Sequence, residues 1–274
     1  MPSLKPLACP ASLKGVLSAR DAAAALARGL GDCDRLPLAD GGEGTADVVP
    51  GLVEAASVIP FDPTHLDPFT SSRPFGELLA GTRAEHLLIG LGGTANMDAG
   101  EGMLEVLDSL PPATVLCDVR TTLYDAPTLY GPQKGATPEQ VVELEARFRA
   151  DERLRPYAEL AGSGAAGGLG AALASLGATL VPGAATVLDL VGFDPSAYDL
   201  VVTGEGRVDA TTREGKVPFE VARRCSAAGV RCVVFGGIVV EPLPGVETVA
   251  LSGDPARAAS DLEDLGARLL DAPG

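Results

Sequence analysis

At 274 residues the chain can bury one large hydrophobic core or two modest ones. Hydrophobic residues make up 46% and charged residues 21%, which excludes a disordered chain, and no apolar run reaches the roughly 18 residues a membrane-crossing helix needs. The formal net charge of −16 argues against nucleic acid or an anionic membrane surface as partner, but not against a small phosphorylated ligand held by a few local cations and backbone N–H groups.

The opening stretch "MPSLKPLACPASLKG" lacks the apolar run of a signal peptide. Cys9, Cys33, Cys117, Cys225 and Cys232 form no CxxC, and the two histidines, His65 and His86, stand at no metal spacing. The expectation is a cytoplasmic protein with reduced thiols and no structural zinc.

In chain order, "SARDAAAALARGL" reads as a helix, with Ser18 and Asp21 placed for a capping box. "RLPLA" reads as a short strand and "EGTADVV" as the start of another helix. The Pro-rich segment 60–76 lacks regular pattern and reads as an irregular crossing. "EHLLIGL", "ATVLCDV" and "YDLVVTGEG" have the continuous apolar character of strands buried on both faces. Thr137-Pro138-Glu139-Gln140 opens a charged helix. The small residues of "GSGAAGGLGAALASLG", 162–177, suit a helix packed at close range. "VPFEVARRCSAAG" reads as a helix ending at Gly229 before the strand "VRCVVFGG", and Pro255 to Leu270 as a closing helix. Repeated strand, glycine turn and helix predict a parallel α/β sheet with helices on both faces, whose ligands bind beyond the carboxyl ends of the strands.

Five glycine-rich loops interrupt this pattern: "ASLKG" (11–15), "ADGGEG" (39–44), "GGTANMDAGEG" (92–102), "GPQKGA" (131–136) and "TGEGRVDATTREGK" (203–216). The chain has 17 arginines but four lysines, and three of the four, Lys14, Lys134 and Lys216, fall in these loops. A compact ammonium suits phosphate where the planar guanidinium fork does not fit. The loop carboxylates Asp40, Glu43, Asp98, Glu205 and Asp209 suit either Mg²⁺ bound partly through substrate phosphates or abstraction of a proton from an attacking hydroxyl. No P-loop is present. Residue pattern alone reaches an α/β enzyme of an anionic ligand.

The loops together resemble the bacterial type I glycerate kinase family, which transfers the γ-phosphate of ATP to D-glycerate. "SLKGVLSARDAAAALARGL" resembles that family's DSFKGSLSA-type opening, and "PLADGGEGT" and "YGPQKGAT" match its motifs outright. "IGLGGTANMDAGEGM" resembles GIGGSATNDGGAGM, "GSGAAGGLGAAL" is very similar, and "DLVVTGEGRVDATTREGKVP" resembles TGEGRxDxQTxxGKxP. The six segments run in the family's order.

The resemblance implies two α/β domains: a flavodoxin-like parallel sheet from 1–55 and 189–274, and a second, reduced domain inserted as 56–188. It implies ATP and Mg²⁺ as cosubstrate and metal, and a small hydroxy acid as acceptor. Carried over, Asp209, Lys14 and Asp40 are candidate catalytic residues, with Asp209 the expected base. Lys134, Lys216, Gly92, Gly93, Thr94 and Arg207 are candidate substrate- and phosphate-binding residues, and Asp98, Glu205 and Glu43 candidate metal ligands. Oligomeric state is not legible.

Departures from the family pattern bear on these expectations. Ala11 stands where the family has Asp, Met97 where it has Asn, and Thr211 where it has Gln. Two stretches are missing, between Ile59 and Glu85 and between Leu107 and Ala113. The loss at Met97 is expected to remove an amide from a ligand-facing loop. The competing expectation is a non-catalytic or substrate-shifted relative that binds a nucleotide or a small hydroxy acid.

Overall fold

The computed structural model describes residues 4–271. In chain order the elements begin with β1 (Pro6–Ala8), α1 (Ala19–Leu30), β2 (Asp34–Arg35) and β3 (Val53–Glu54). Next come α2 (Arg73–Gly81), β4 (Leu87–Gly90), α3 (Glu101–Leu104) and β5 (Ala113–Cys117). Then follow α4 (Ala126–Tyr130), α5 (Pro138–Ala150), α6 (Ala165–Ser175), β6 (Thr179–Pro182) and α7 (Gly183–Leu190). The chain closes with β7 (Leu200–Val208), α8 (Val217–Ala228), β8 (Arg231–Val239), β9 (Glu247–Ala250) and α9 (Ala258–Asp271).

Local chemistry sets the helix ends. The Ser18 hydroxyl accepts the backbone N–H of Asp21 at 3.1 Å and donates to the Asp21 carboxylate at 2.7 Å, which caps α1 without a reciprocal backbone bond. The Thr137 and Gln140 side chains complete a capping box on α5. Gly229, at φ 69°, ends α8 in the left-handed conformation.

Three stretches depart from the sequence expectation. The irregular crossing expected over 60–76 ends early, since Arg73 to Gly76 form the first turn of α2, where Pro74 is tolerated because a first-turn N–H has no partner within the helix. Residues 43–49 form successive turns rather than a helix, because the Thr45 hydroxyl binds the Gly42 carbonyl at 2.6 Å and Pro50-Gly51 stops propagation. "RLPLA" contributes only Arg35 to a strand. Leu36 and Leu38 still donate to the carbonyls of Ala8 and Pro10, but the intervening Pro37 has no N–H to give.

The chain divides into two units, one formed by residues up to Ala39 together with those from Val187 on, the other by Asp40–Thr186. Residues 40–55, expected in the first unit, lie in the second, where Val53 and Glu54 pair with Ile89 and Gly90.

The first unit holds a five-stranded, all-parallel sheet in the order β2-β1-β7-β8-β9, the flavodoxin-like arrangement. Alternate residues serve opposite faces: Val233 and Phe235 pack with Leu200 and Val202 on α1 and α9, while Val234 packs on Ala222 of α8. In such a sheet the point where the strand order reverses, between β1 and β7, is where ligands collect beyond the carboxyl ends.

The second unit holds four parallel strands in chain order, β3-β4-β5-β6. Right-handed crossovers that always step the same way put their helices on one face. Phe75, Met103, Leu144, Phe148 and Leu169 cover Ile89 and Val115 there as one buried cluster. The opposite face at the end of β5 carries the loop around Gly41, where a side chain would sit 2.8 Å from the Leu116 carbonyl oxygen. Among the described residues no helix is long and apolar enough to cross a membrane, and Cys9, Cys33, Cys117, Cys225 and Cys232 are free thiols.

Candidate active site

In the second unit, the candidate residues gather at the carboxyl ends of β4 and β5. The chain leaves β4 through Gly92, Gly93 and Thr94, and Gly92 donates to the Gly41 carbonyl at 3.1 Å. This seats the 40–44 loop on the 92–94 loop, backbone against backbone. A methyl on Gly92 would lie 2.6 Å from the Gly42 Cα, and one on Gly93 3.2 Å from the Glu43 Cβ. Gly41, at φ 92°, turns the chain in a conformation that side chains resist. The Asp40 carboxylate accepts the Gly42 N–H at 3.2 Å, and Glu43 is exposed beside it. Glycine here brings two loops into contact, and the acids flank the contact.

Lys134 is 7% exposed, and its ammonium donates to the Asn96 carbonyl at 2.8 Å. Burial pulls its pKa down to about 8, although the nearby charges of Asp118 and Asp98 push it up. The glycine turn "GPQKGA" suggests an accessible lysine; the left-handed Gly135 at its end instead lets the turn fold back and enclose it.

Asp98 is also buried, and both its oxygens are occupied. Oδ2 accepts the backbone N–H and hydroxyl of Ser72, each at 2.7 Å, and the Gly102 N–H at 3.2 Å. Oδ1 accepts the Asn96 amide and the Gly100 N–H, both at 3.1 Å. Such a carboxylate holds the loop in shape.

The Met97 side chain is wholly buried in the apolar cluster, so it is not a lost ligand contact. The amide of this loop is supplied one residue earlier, by Asn96. It donates to Asp98 and, at 2.8 Å, to the Ala166 carbonyl at the start of α6. There Ala166, Gly167 and Gly168 all have positive φ, and a side chain on Gly167 would collide with the Asn96 carbonyl oxygen that holds Lys134. Two buried polar atoms of the loop, Thr94 Oγ1 and Asn96 Oδ1, have no hydrogen-bond partner. Left so, each costs about 1–3 kcal/mol, and a ligand that reached them would remove the penalty.

One residue is absent from the sequence-based candidates. Asp118 directly follows β5, half-buried, and its Oδ2 lies 2.5 Å from where a Gly92 side chain would begin. A signal for it does exist: a carboxylate as the first polar residue after a buried parallel strand, in "ATVLCDV".

In the first unit the strand runs further than expected, because β7 pairs with β8 through Glu205↔Gly236 and Arg207↔Ile238. Glu205 and Arg207 therefore project from a strand, and the loop begins at Asp209. The Lys216 ammonium stands 3.8 Å from Glu205, whose other oxygen accepts the Thr212 hydroxyl at 2.8 Å. Thr212 Oγ1 in turn accepts the Asp209 N–H at 3.1 Å. Lys14 is exposed on a turn whose backbone runs beside Gly206, where a side chain would be 3.6 Å from its N. It stands at the switch point between β1 and β7.

The Asp209 carboxylate is used locally. Oδ1 accepts the Thr211 hydroxyl at 2.6 Å and its N–H at 3.0 Å, and Oδ2 accepts Arg207 Nε at 3.0 Å. The Thr211 hydroxyl foremost, with the Thr211 N–H, Arg207 and the charge of Lys216, holds this carboxyl below its usual range, against the opposing effect of burial. Thr211, which replaces the family's Gln, contributes the first of these bonds.

Among the described residues no three His, Cys, Asp or Glu side chains stand together as a cage for a metal ion. Single strand-end carboxylates suit an ion held mainly by phosphate oxygens, the usual mode for Mg²⁺. Of the candidate ligands, Asp98 is saturated by protein donors and Glu205 is paired, which leaves Glu43 the most accessible.

The model of the glycerate kinase family matches residues 7–61 and 111–253. The glycerate kinase of Bacillus subtilis (strain 168) is 30% identical, with 86% of this chain and 85% of that protein covered. Its alignment spans 333 positions, more than the 274 residues present here, so the relative carries segments this chain lacks. The glycerate 2-kinase of Escherichia coli (strain K12) is also 30% identical, over 80% of this chain and 81% of its own. A crystal structure from Salmonella typhimurium LT2, provisionally named glycerate kinase 2, superposes with a TM-score of 0.74 at 29% identity and 98% coverage of both chains. The chain belongs to the glycerate kinase family and is a phosphotransferase of the kinase type.

Proposed function

We propose that the protein transfers the γ-phosphoryl group of ATP to D-glycerate in the cytoplasm, with Mg²⁺ held mainly on the phosphate oxygens. The observation that carries this reading is Lys134. It is a buried ammonium donating to a backbone carbonyl, set against a glycine loop that keeps two buried polar atoms unpartnered. A positive charge under a bare backbone loop is suited to a small anion. Phosphoryl transfer asks mainly for positioning and charge stabilisation, which such groups supply.

In this reading Lys134 and the Gly92-Gly93-Thr94 backbone bind the acceptor acid. Lys14, Lys216 and Arg207 supply positive charge for the nucleotide phosphates, and Glu43 and Glu205 are the candidate metal ligands. Asp98 fixes the loop, and Asp40 turns its neighbour.

The test is glycerate-dependent ADP release from ATP and Mg²⁺, with a no-acceptor blank. Turnover supports the reading, whereas nucleotide binding without turnover on any small hydroxy acid defeats it. A second reading, a different hydroxy acid as acceptor, is favoured by residues 62–110, which the family model leaves unmatched and which contain the 92–98 loop. The same assay over a panel of 2- and 3-hydroxy acids separates the two.

A further inference from the structure

We propose that Thr212 is the positioning residue of the cation Lys216: its hydroxyl restrains Glu205, so that the carboxylate steers the ammonium without binding it outright. The proposal rests on the phosphotransfer reading, in which Lys216 meets the nucleotide phosphates.

The placement starts from the backbone. Pairing of β7 with β8 through Glu205↔Gly236 fixes Glu205 on a strand. After Asp209 the chain tightens into a single turn of 3-10 helix, Ala210–Glu214, in which Thr212 is wholly buried. Gly215, at φ 103°, then turns the chain in the left-handed conformation. Lys216 follows directly before α8, and its side chain takes no part in capping that helix.

Thr212 touches both members of the ion pair. Its Oγ1 donates to Glu205 Oε1 at 2.8 Å and accepts the Asp209 N–H at 3.1 Å, so the proton and a lone pair of the hydroxyl are both engaged. Its carbonyl accepts the Lys216 N–H at 3.3 Å. One buried residue thus sets the carboxylate through its side chain and the lysine through its main chain.

The separation of the pair carries the argument. Lys216 Nζ stands 3.8 Å from Glu205 Oε2, inside ion-pair range but beyond the about 2.7–2.9 Å of a charge-assisted hydrogen bond. The two side chains are only 29% and 14% exposed, so water screens their attraction in part. The ammonium is held near Glu205 while its N–H groups stay off this carboxylate. Asp209, another acid that feels the charge of Lys216, has its oxygens engaged by Thr211 and Arg207. Without the Thr212 hydroxyl, Glu205 Oε1 loses a donor, and Lys216 is within reach to replace it. A lysine bonded directly to Glu205 then has to be pulled away by an incoming phosphate.

The experiment measures ATP binding by calorimetry with Mg²⁺ chelated, kcat and KM for ATP and acceptor with Mg²⁺ present, and far-UV circular dichroism. It compares wild type with Thr212→Val, Thr212→Ser, Glu205→Gln, Lys216→Met and the double variant Thr212→Val with Glu205→Gln. Thr212→Val is expected to weaken ATP binding about tenfold, with the acceptor KM changed by less than about twofold. Thr212→Ser, which keeps the hydroxyl, should bind ATP within about twofold of wild type. With residue 205 uncharged the lysine has no carboxylate to collapse onto, so the double variant should bind ATP about as tightly as Glu205→Gln alone. A Thr212 that serves the fold alone would lower affinity equally in both backgrounds, and that result overturns the proposal. A Thr212→Ser variant as weak as Thr212→Val overturns it as well, as does Lys216→Met binding ATP like wild type. Glu205→Gln alone should keep ATP affinity within about threefold; a tenfold loss overturns the proposal, and this variant decides it should Thr212→Val not fold. A wild type that neither binds ATP nor turns over any hydroxy acid overturns the phosphotransfer reading and this proposal with it. An active wild type with unchanged ATP binding in Thr212→Val overturns the proposal alone.

Discussion

Replacing Lys134 by methionine separates the cost of a buried charge from its use. The Lys134 pKa is about 8 in the folded chain against 10.5 for the ordinary side chain. At 1.36 kcal/mol per unit, keeping this group protonated in the fold costs about 3 kcal/mol relative to leaving it neutral. The sign follows from which state holds the proton. Below pH 8 both states are protonated and the folded state bears the full cost. Between pH 8 and 10.5 the folded state is neutral while the unfolded state still binds a proton, so stability rises with pH. Above 10.5 the gain is complete. Urea unfolding of wild type and Lys134→Met between pH 7 and 10.5, followed by circular dichroism, isolates the effect. Titrations common to both proteins cancel in the difference, and the packing change that comes with methionine adds only a constant offset. The wild type should gain about 3 kcal/mol on the variant across that window. A difference flat to within about 0.5 kcal/mol would refute the claim that burial dominates this lysine's titration.

Further predictions concern the same loops. In the proposed kinase, kcat/KM for the acceptor should fall on an alkaline limb near pH 8 as Lys134 loses its charge in the free enzyme, which a pH–rate profile reads directly. Gly92→Ala places a methyl 2.5 Å from Asp118 Oδ2 and 2.6 Å from the Gly42 Cα. It should cost about 1–3 kcal/mol in denaturant stability together with most of the turnover. Gly167→Ala forces a side chain onto a left-handed residue and against the Asn96 carbonyl. The expected loss is about 2–4 kcal/mol, with a raised acceptor KM because the oxygen that holds Lys134 must move.

The parallel sheets are legible in the sequence because each long strand is a continuous apolar run ending on glycine or an acid, and that pattern needs no partner to be read. The turns over 43–49 are not, since the Thr45 hydroxyl competes with helical bonding and its bond to Gly42 is invisible in a residue pattern. The lysines of the glycine loops are legible as a set through the scarcity of lysine elsewhere. Their surroundings are not, because Lys134 is exposed by composition and buried by how its turn folds back. The use of Asp98 is hidden for a related reason: its main partner, Ser72, lies 26 residues away in a segment without regular pattern. Met97 misleads because one step along a loop moves a side chain from the ligand side to the core. Asp118 is concealed by the absence of glycine beside it in sequence, although Gly92 stands beside it in space.

The first sheet is assembled from chain segments far apart in order: Pro6 pairs with Leu200, and the Lys5 N–H reaches the Asp199 carboxylate across 194 positions. Its central strands cannot meet until nearly three-quarters of the polypeptide has been made. The second unit is one uninterrupted stretch, and every strand in its sheet neighbours the next along the chain. During synthesis it can therefore condense while the early strands β1 and β2 wait for β7. Condensation of that stretch shortens the loop whose closure opposes the β1–β7 pairing. A substitution that loosens the second unit thus delays the first as well, and its effect on refolding rate extends to strands that it never touches.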